Sequence, residues 1–408
     1  LISNQFVGVA RGMGRSYGDA AFAETTVDMR SLNHLLRFDR TAGIVECQAG
    51  VTLHHLLKII VPCGWFLPVT PGTRFVTIGG AIASDVHGKN HHLAGCLSDH
   101  LTYLDVLTGS GDVIRCSRTE NKELFRVSCG GMGLTGVITG AGLQLIPITN
   151  AYIEQQAINA TNLEEIISLL DEQTNSPYSV AWIDTVNRSR NGIGRGRVYF
   201  GQHSEDPSLP LQCGSDNQIE IPAVLPGVIN RLSTSLFNRL YQARQQVRVS
   251  HSLVHYQQYF YPLDAIRSWN RLYGKRGLFQ YQFVIPKTAG HPPLFDLIQS
   301  IINSGLASPL VVLKAMGKAN NNLLSFPVEG YTFAVDFAQS PASLALMSRL
   351  DDKLKEYGGR LYLTKDARMT ADLFKKTYEN LDDFMKIRDA FGGQKFTSHQ
   401  ALRLGIGS

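Results

Sequence analysis

The sequence contains no CxxC pair and no dense cysteine framework. Its six cysteines (Cys47, Cys63, Cys96, Cys116, Cys129, Cys213) are scattered, which excludes a disulfide-stapled scaffold and fits reduced, mostly buried thiols. No apolar run reaches transmembrane length; the nearest, Leu56 to Val69, is broken by Lys58, Pro62, Gly64 and Pro68. Charge is sparse, at 18% of 408 residues, and the formal balance is only +5 without a long basic run or basic–aromatic stripe. Nucleic acid is therefore disfavoured, while an anionic small substrate or a lipid surface stays open. Internal repeats and low-complexity tracts are missing as well. Because the chain opens at Leu1 within strand-like sequence, some upstream residues are expected to be absent, and a lost targeting segment stays open.

Glycine, by contrast, is plentiful, with 38 residues. The organising stretch is Pro71 to His92, PGTRFVTIGGAIASDVHGKNHH. Thr77 stands as N-cap of a short small-residue helix, Ile78 to Ala83. Gly79 and Gly80 remove Cβ atoms where a backbone must approach something flat or anionic, and unpaired amides at that helix start would suit a phosphate. Two more glycine-rich stretches, Ala10 to Ala20 and Gly130 to Gly136, flank it along the chain. The first, ARGMGRSYGDA, lacks the GxGxxG spacing of the dinucleotide fingerprint. Three such loops around one strand-rich region suggest a large phosphate-bearing cofactor.

Up to residue 150 the pattern gives strands at 6–10, 26–29 and 43–47, a helix from Thr52 ending at Gly64, and a hairpin over 103–116. Few helices among strands favour an α+β domain over a doubly wound one. Beyond 150 the texture changes. A capping box, Thr161 with Glu164, predicts a helix over 161–173. Residues 203–226 are irregular and proline-rich, the best candidate for a mobile loop. Segment 227–242 carries Ile229, Leu232, Leu236, Phe237 and Leu240 beside Arg231 and Arg239; such a stripe more often packs on a core than lies at a membrane edge. Alternation predicts strands at 279–285, 311–315 and 331–337, with helices at 294–304 and 341–357, so this half reads as a sheet with helices on one face.

Together the motifs ARGMGRSYGD (10–19), PGTRFVTIGGAIASDVHGKNHH (71–92), GGMGLTG (130–136), FQYQFVIP (279–286) and GGRLYLTKDAR (358–368) resemble the flavin oxidoreductases of the vanillyl-alcohol oxidase type. The resemblance is strongest to the branch that oxidises a lipid-linked ribose. It implies an α+β, two-lobed FAD-binding fold with an inserted substrate-binding cap built on an antiparallel sheet. Residues 1–150 would form the first part of the FAD domain, 151–358 the cap, and 359–408 a return to the FAD domain. FAD would be held by Ala10, Arg11, Gly12, Met13, Gly14, Arg15, Ser16, Tyr17, Gly18, Asp19 and Ala20, by Gly72, by Thr77, Ile78, Gly79 and Gly80, by Ser84, Asp85, Val86 and His87, and by Ile138 and Tyr362. The implied reaction takes hydride from C2 of a polyprenylphosphoryl ribose. A separate NAD(P)H-dependent reductase would complete epimerisation to the arabinose form for cell-wall polysaccharide. The implied setting is bacterial, cytoplasmic or peripheral to a membrane, with the periplasm open.

Three departures from the family pattern carry expectations. Relatives with covalent flavin have a histidine where this chain has Tyr17, so FAD is expected to be non-covalent. A cysteine used by covalent nitroaromatic inhibitors is replaced by Ala334, so that inhibition should be lost. An asparagine two positions earlier is Thr332, which bears on the exact sugar or lipid.

Alcohol oxidation needs an acceptor for the hydroxyl proton and positive charge near the flavin's pyrimidine edge. The candidate catalytic residues are Lys365, Gln282, His87 and Tyr17; the candidate substrate ligands are Gln280, Gln282, Lys314, Thr332, Ala334 and Lys365. Taken alone, Lys365 would read as a surface lysine, Lys314 as a snorkelling edge residue and Tyr17 as a packed loop tyrosine. His87, His91 and His92 lack the HExxH glutamate, so no metal is expected. The rivals are an oxidase of soluble polyols or aldonolactones and a non-catalytic flavin-binding partner of a reductase.

Overall fold

Two antiparallel sheets dominate the computed structural model, which describes residues 6–186, 192–222, 227–243, 247–306 and 308–407. The first has five strands in the order Leu35–Asp39, Ile44–Gln48, Val137–Gln144, Leu101–Leu107, Val113–Cys116. The helix Leu53–Ile60 packs beside it. Thr52 caps it by accepting from the His55 amide, Leu53, Leu56, Leu57 and Ile60 are all buried, and Gly64 at φ +79° closes the following turn. Fully burying each such side chain contributes roughly 1.5–3 kcal/mol.

The second sheet has eight strands in the order Val249–His255, Tyr152–Ala160, Gly196–His203, Tyr178–Ile183, Val311–Met316, Gly330–Ala338, Leu278–Pro286, Arg360–Leu361. Every pairing within it is antiparallel. Alternation along the strands divides its faces. Tyr281, Phe283, Tyr331, Phe333, Val335 and Phe337 are buried, and Tyr281 and Tyr331 donate to Asp351 and Asp171 on the helices Pro341–Glu356 and Leu163–Glu172. The opposite face carries Gln280, Gln282, Lys314, Thr332 and Ala334 to a large cavity.

Residues after 368 run back to the first sheet's side of the molecule: Arg388 Nε donates to the Leu134 carbonyl, and the Gly109 amide donates to Phe391. Asp85 joins the two halves. Held at φ +39°, it accepts from Asn320, Asn322 and Ser325 through one carboxylate oxygen and from the Ser98 amide through the other.

Two local expectations change. The cap of the helix Leu163–Glu172 is Asn162, whose side chain accepts from the Glu165 amide. Glu165, not Glu164, reaches back to Thr161; neighbouring Thr and Asn both suit a cap, and the chain takes the second. The stripe on Arg231–Ala243 does not pack on a core. Leu232, Leu236 and Leu240 are 84%, 59% and 56% exposed, while Thr234 and Asn238 are buried. The irregular 203–222 stretch forms one short strand, Ile219–Glu220, and residues 223–226 lie outside the described residues.

Candidate active site

The cavity between the sheets encloses about 1640 Å³, beyond the roughly 300–1,000 Å³ of an ordinary small-molecule site. One wall comes from the glycine-rich stretches. Ala10, Gly12, Met13, Gly14, Arg15, Ser16, Tyr17, Ala20, Gly72, Thr77, Gly79, Gly80, Ser84, Val86, His87, Ile138 and Tyr362 all line it. Gly12 is needed for close approach, since a Cβ there would stand 2.3 Å from Thr77 Oγ1.

Five expected cofactor residues are not among the lining. Arg11 turns its guanidinium to the Ala21 carbonyl and the Phe22 ring. Gly18 packs against the backbone of Asp366, and Asp19 is paired with Arg403. Ile78 is buried in the core, and the Asp85 carboxylate is fully engaged by the 320–325 loop and Ser98.

The expected free amides at the Ile78–Ala83 helix start are also spoken for. Ile78 donates to Val51, Gly79 to Ala49, Gly80 to Thr77 Oγ1 and Ala81 to the Thr77 carbonyl. The loop ahead differs. Among the described residues the amides of Met13, Gly14, Arg15 and Ser16 have no acceptor, and Gly14 takes φ +60°. Consecutive free amides around a left-handed residue form an anion-binding concavity. Together with the cavity's size and its small-residue wall, this fits a dinucleotide diphosphate.

The facing wall is polar and charged. Gln282 Nε2 donates to His87 Nε2 and to Thr332 Oγ1, both at 3.2 Å, and Thr332 donates on to the Phe283 carbonyl at 2.9 Å. Gln282 Oε1 is left without a partner among the described residues. With Nε2 accepting, the neutral His87 ring carries its proton on Nδ1, which is buried and unpartnered among the described residues. Burial, reinforced by the Lys314 charge, holds the His87 pKa well below the usual histidine range.

Lys365 Nζ lies 3.8 Å from the centre of the Tyr17 ring. Burial pulls its pKa down to about 7, against the opposing pull of the Asp336 carboxylate. Lys314 is drawn down to about 8 by burial alone.

Asp336 is the residue that sequence reading missed. It is fully buried and accepts from Gln280 Nε2 at 2.6 Å, and burial raises its carboxyl to about 6. A hydrogen bond to a charged group contributes roughly 1.5–3 kcal/mol, less than the several kcal/mol that burying the charge costs. The available signal was a carboxylate placed in register with Gln280 on the neighbouring strand. Lys89 was missed too. It lines the cavity, stacks over Tyr259 with Nζ 4.0 Å from the ring centre, and burial lowers it to about 7.

The three histidines diverge. His91 Nδ1 accepts from the Gly317 amide and His92 bonds the Ser176 carbonyl. No metal-holding cluster occurs among the described residues.

Comparison with known proteins adds to this geometry. Residues 3–117 match the model of an FAD binding domain. The chain is 35% identical to the decaprenylphosphoryl-β-D-ribose oxidase of Mycolicibacterium smegmatis, over 98% of this chain and 89% of that protein. It belongs to the decaprenylphosphoryl-β-D-ribose oxidase family. An uncharacterised protein in the mprA 5′ region of Streptomyces coelicolor is 30% identical over 87% of this chain and all of its own length. The L-gulonolactone oxidase of Bos taurus is 24% identical over 69% of this chain and 66% of its own. The family membership makes the protein an FAD-dependent oxidoreductase, with FAD as the group that the glycine-rich wall fits.

Proposed function

We propose that the protein oxidises the C2 hydroxyl of a polyprenylphosphoryl-β-D-ribose to the 2-keto sugar, the first half of epimerisation to the arabinose form. Support comes from one juxtaposition: Gln282, His87, Thr332, Lys314 and Lys365 share a single cavity with the free amides of the 13–16 loop. Residues 151–358 serve as the substrate-binding cap, and residues 1–150 with 359–408 hold the cofactor. FAD, when bound, supplies the two-electron acceptor for the hydride that leaves C2.

The residues of this chain do the rest. Gln282 is oriented by His87 and Thr332, so its free Oε1 can accept from a sugar hydroxyl. With Nε2 accepting from Gln282 and its pKa held low by burial, His87 serves to orient Gln282, and the hydroxyl proton is assigned elsewhere. Lys365, with a pKa near 7, is partly neutral at neutral pH. Its amine takes that proton and becomes an ammonium inside the cavity, a charge that would favour an anionic reduced cofactor held there. Lys314 offers a cation for the substrate's phosphate or hydroxyls. The ketone then passes to an NAD(P)H-dependent short-chain reductase.

The test is anaerobic stopped-flow of the holoprotein with a farnesylphosphoryl ribose, following the oxidised flavin band. Bleaching by the lipid sugar, without bleaching by free ribose or polyols, is expected. Bleaching by free polyols or aldonolactones alone would transfer the protein to the soluble-sugar oxidases, the reading that similarity to L-gulonolactone oxidase favours. Bleaching by none would leave a non-catalytic flavin-binding protein.

A further inference from the structure

The helix Arg231–Ala243 is amphipathic in the inverted sense. Thr234 and Asn238, one turn apart, face the protein, and Asn238 Nδ2 donates to Asp184 at 2.7 Å. Leu232, Leu236 and Leu240, at the same spacing, face outward. A single exposed leucine is ordinary, but a three-residue apolar stripe over a buried polar one reverses what burial in water would select. Val228, three residues before the helix, is exposed as well.

Along the helix itself the charge has one sign. Arg231 and Arg239 are exposed on the helix, and no ion pair is formed by either among the described residues. From residue 227 to 253 the sequence holds no aspartate or glutamate. The helix also borders the cavity, since Phe237 lines it, and the Val228 and Ile229 amides tie its approach to Leu272, beside the lining residues Trp269 and Asn270. An apolar stripe flanked by unpaired arginines complements an anionic lipid surface.

We infer that this helix docks on an anionic membrane, so that the cavity takes a lipid-linked substrate from the bilayer at its Phe237 rim. This rests on the lipid-substrate reading above only for its second half, because vesicle binding needs no turnover.

Holoprotein would be floated with vesicles of phosphatidylcholine, with and without phosphatidylglycerol. Binding is expected with the anionic vesicles and should weaken steeply with salt. Leu232→Glu/Leu236→Glu/Leu240→Glu should lose it roughly tenfold or more, and Arg231→Gln/Arg239→Gln several-fold. Retained flavin absorbance reports that each variant is folded, and the milder arginine pair keeps the test open should the triple variant fail to fold. Turnover of a short-chain farnesyl substrate in solution should be unchanged in both, while KM for a long-chain substrate in vesicles rises. Equal flotation of wild type and variants, or absence of wild-type binding, overturns the proposal. So does self-association through the helix, seen as a dimer that the triple variant abolishes. Loss of short-chain turnover in wild type would count against the oxidase reading alone.

Discussion

The wall built from the 10–20 and 71–92 stretches meets the cavity mainly with main-chain amides and small residues, whereas the wall on the eight-stranded sheet meets it with Lys314, Lys365, Gln280 and Gln282, with Asp336 buried behind Gln280. The first wall selects by shape and by amides whose directions the backbone fixes. The second holds ionisable groups in a setting that shifts them toward neutrality. Recognition of an invariant cofactor suits the first, and proton transfer suits the second, because only groups poised near pH 7 exchange protons readily there.

Breaking the charged wall should have the largest effect. Lys365→Ala is expected to leave FAD bound and to slow substrate-driven flavin reduction by roughly 10²–10⁴-fold; rapid-mixing spectra would show a yellow enzyme that stays oxidised. Near-normal reduction would remove Lys365 from the chemistry.

Breaking the neutral wall should change occupancy instead. Gly12→Val drives a side chain into Thr77 Oγ1, and overpacking of this kind costs about 1–3 kcal/mol. Lower FAD content per purified protein and a lower Tm are expected, with the remaining flavin reduced at the wild-type rate. Acid precipitation of wild type should release all its FAD, as expected for a loop with Tyr17 and no linking histidine; yellow pellets would refute non-covalent binding.

The smallest change sharpens the contrast without breaking either wall. Asp336 raises the Lys365 pKa, while burial lowers it. With the neutral amine as the proposed base, kcat/KM should rise with pH through about 7 in wild type. Asp336→Asn removes the raising influence, so the rise should move to lower pH. A profile left in place would show that Asp336 does not act on Lys365.

Much of this was legible locally. Thr77 caps its short helix, Gly64, Gly305 and Gly358 take positive φ at chain turns, and the 279–285 alternation separates the aromatics from Gln280 and Gln282. What stayed hidden depends on partners distant in sequence. The amides at the Thr77 helix looked free until the carbonyls of Ala49 and Val51 came to them. Asp336 drew no reading within the strand at 331–337, and its contact with Gln280 appears only across the sheet. The leucine stripe of 231–243 was visible as a period, but periodicity does not say which side meets the protein.

Asp85 carries a mechanical consequence. By gathering Asn320, Asn322, Ser325 and Ser98 on one buried carboxylate, it rivets the loop after the strand Val311–Met316 to the 71–92 stretch, beside Tyr362 and Ser84. A seam fastened there cannot act as a doorway. The protein is thus a vessel stitched along one seam, with the 320–325 loop and the 71–92 stretch held to one another by a single buried carboxylate.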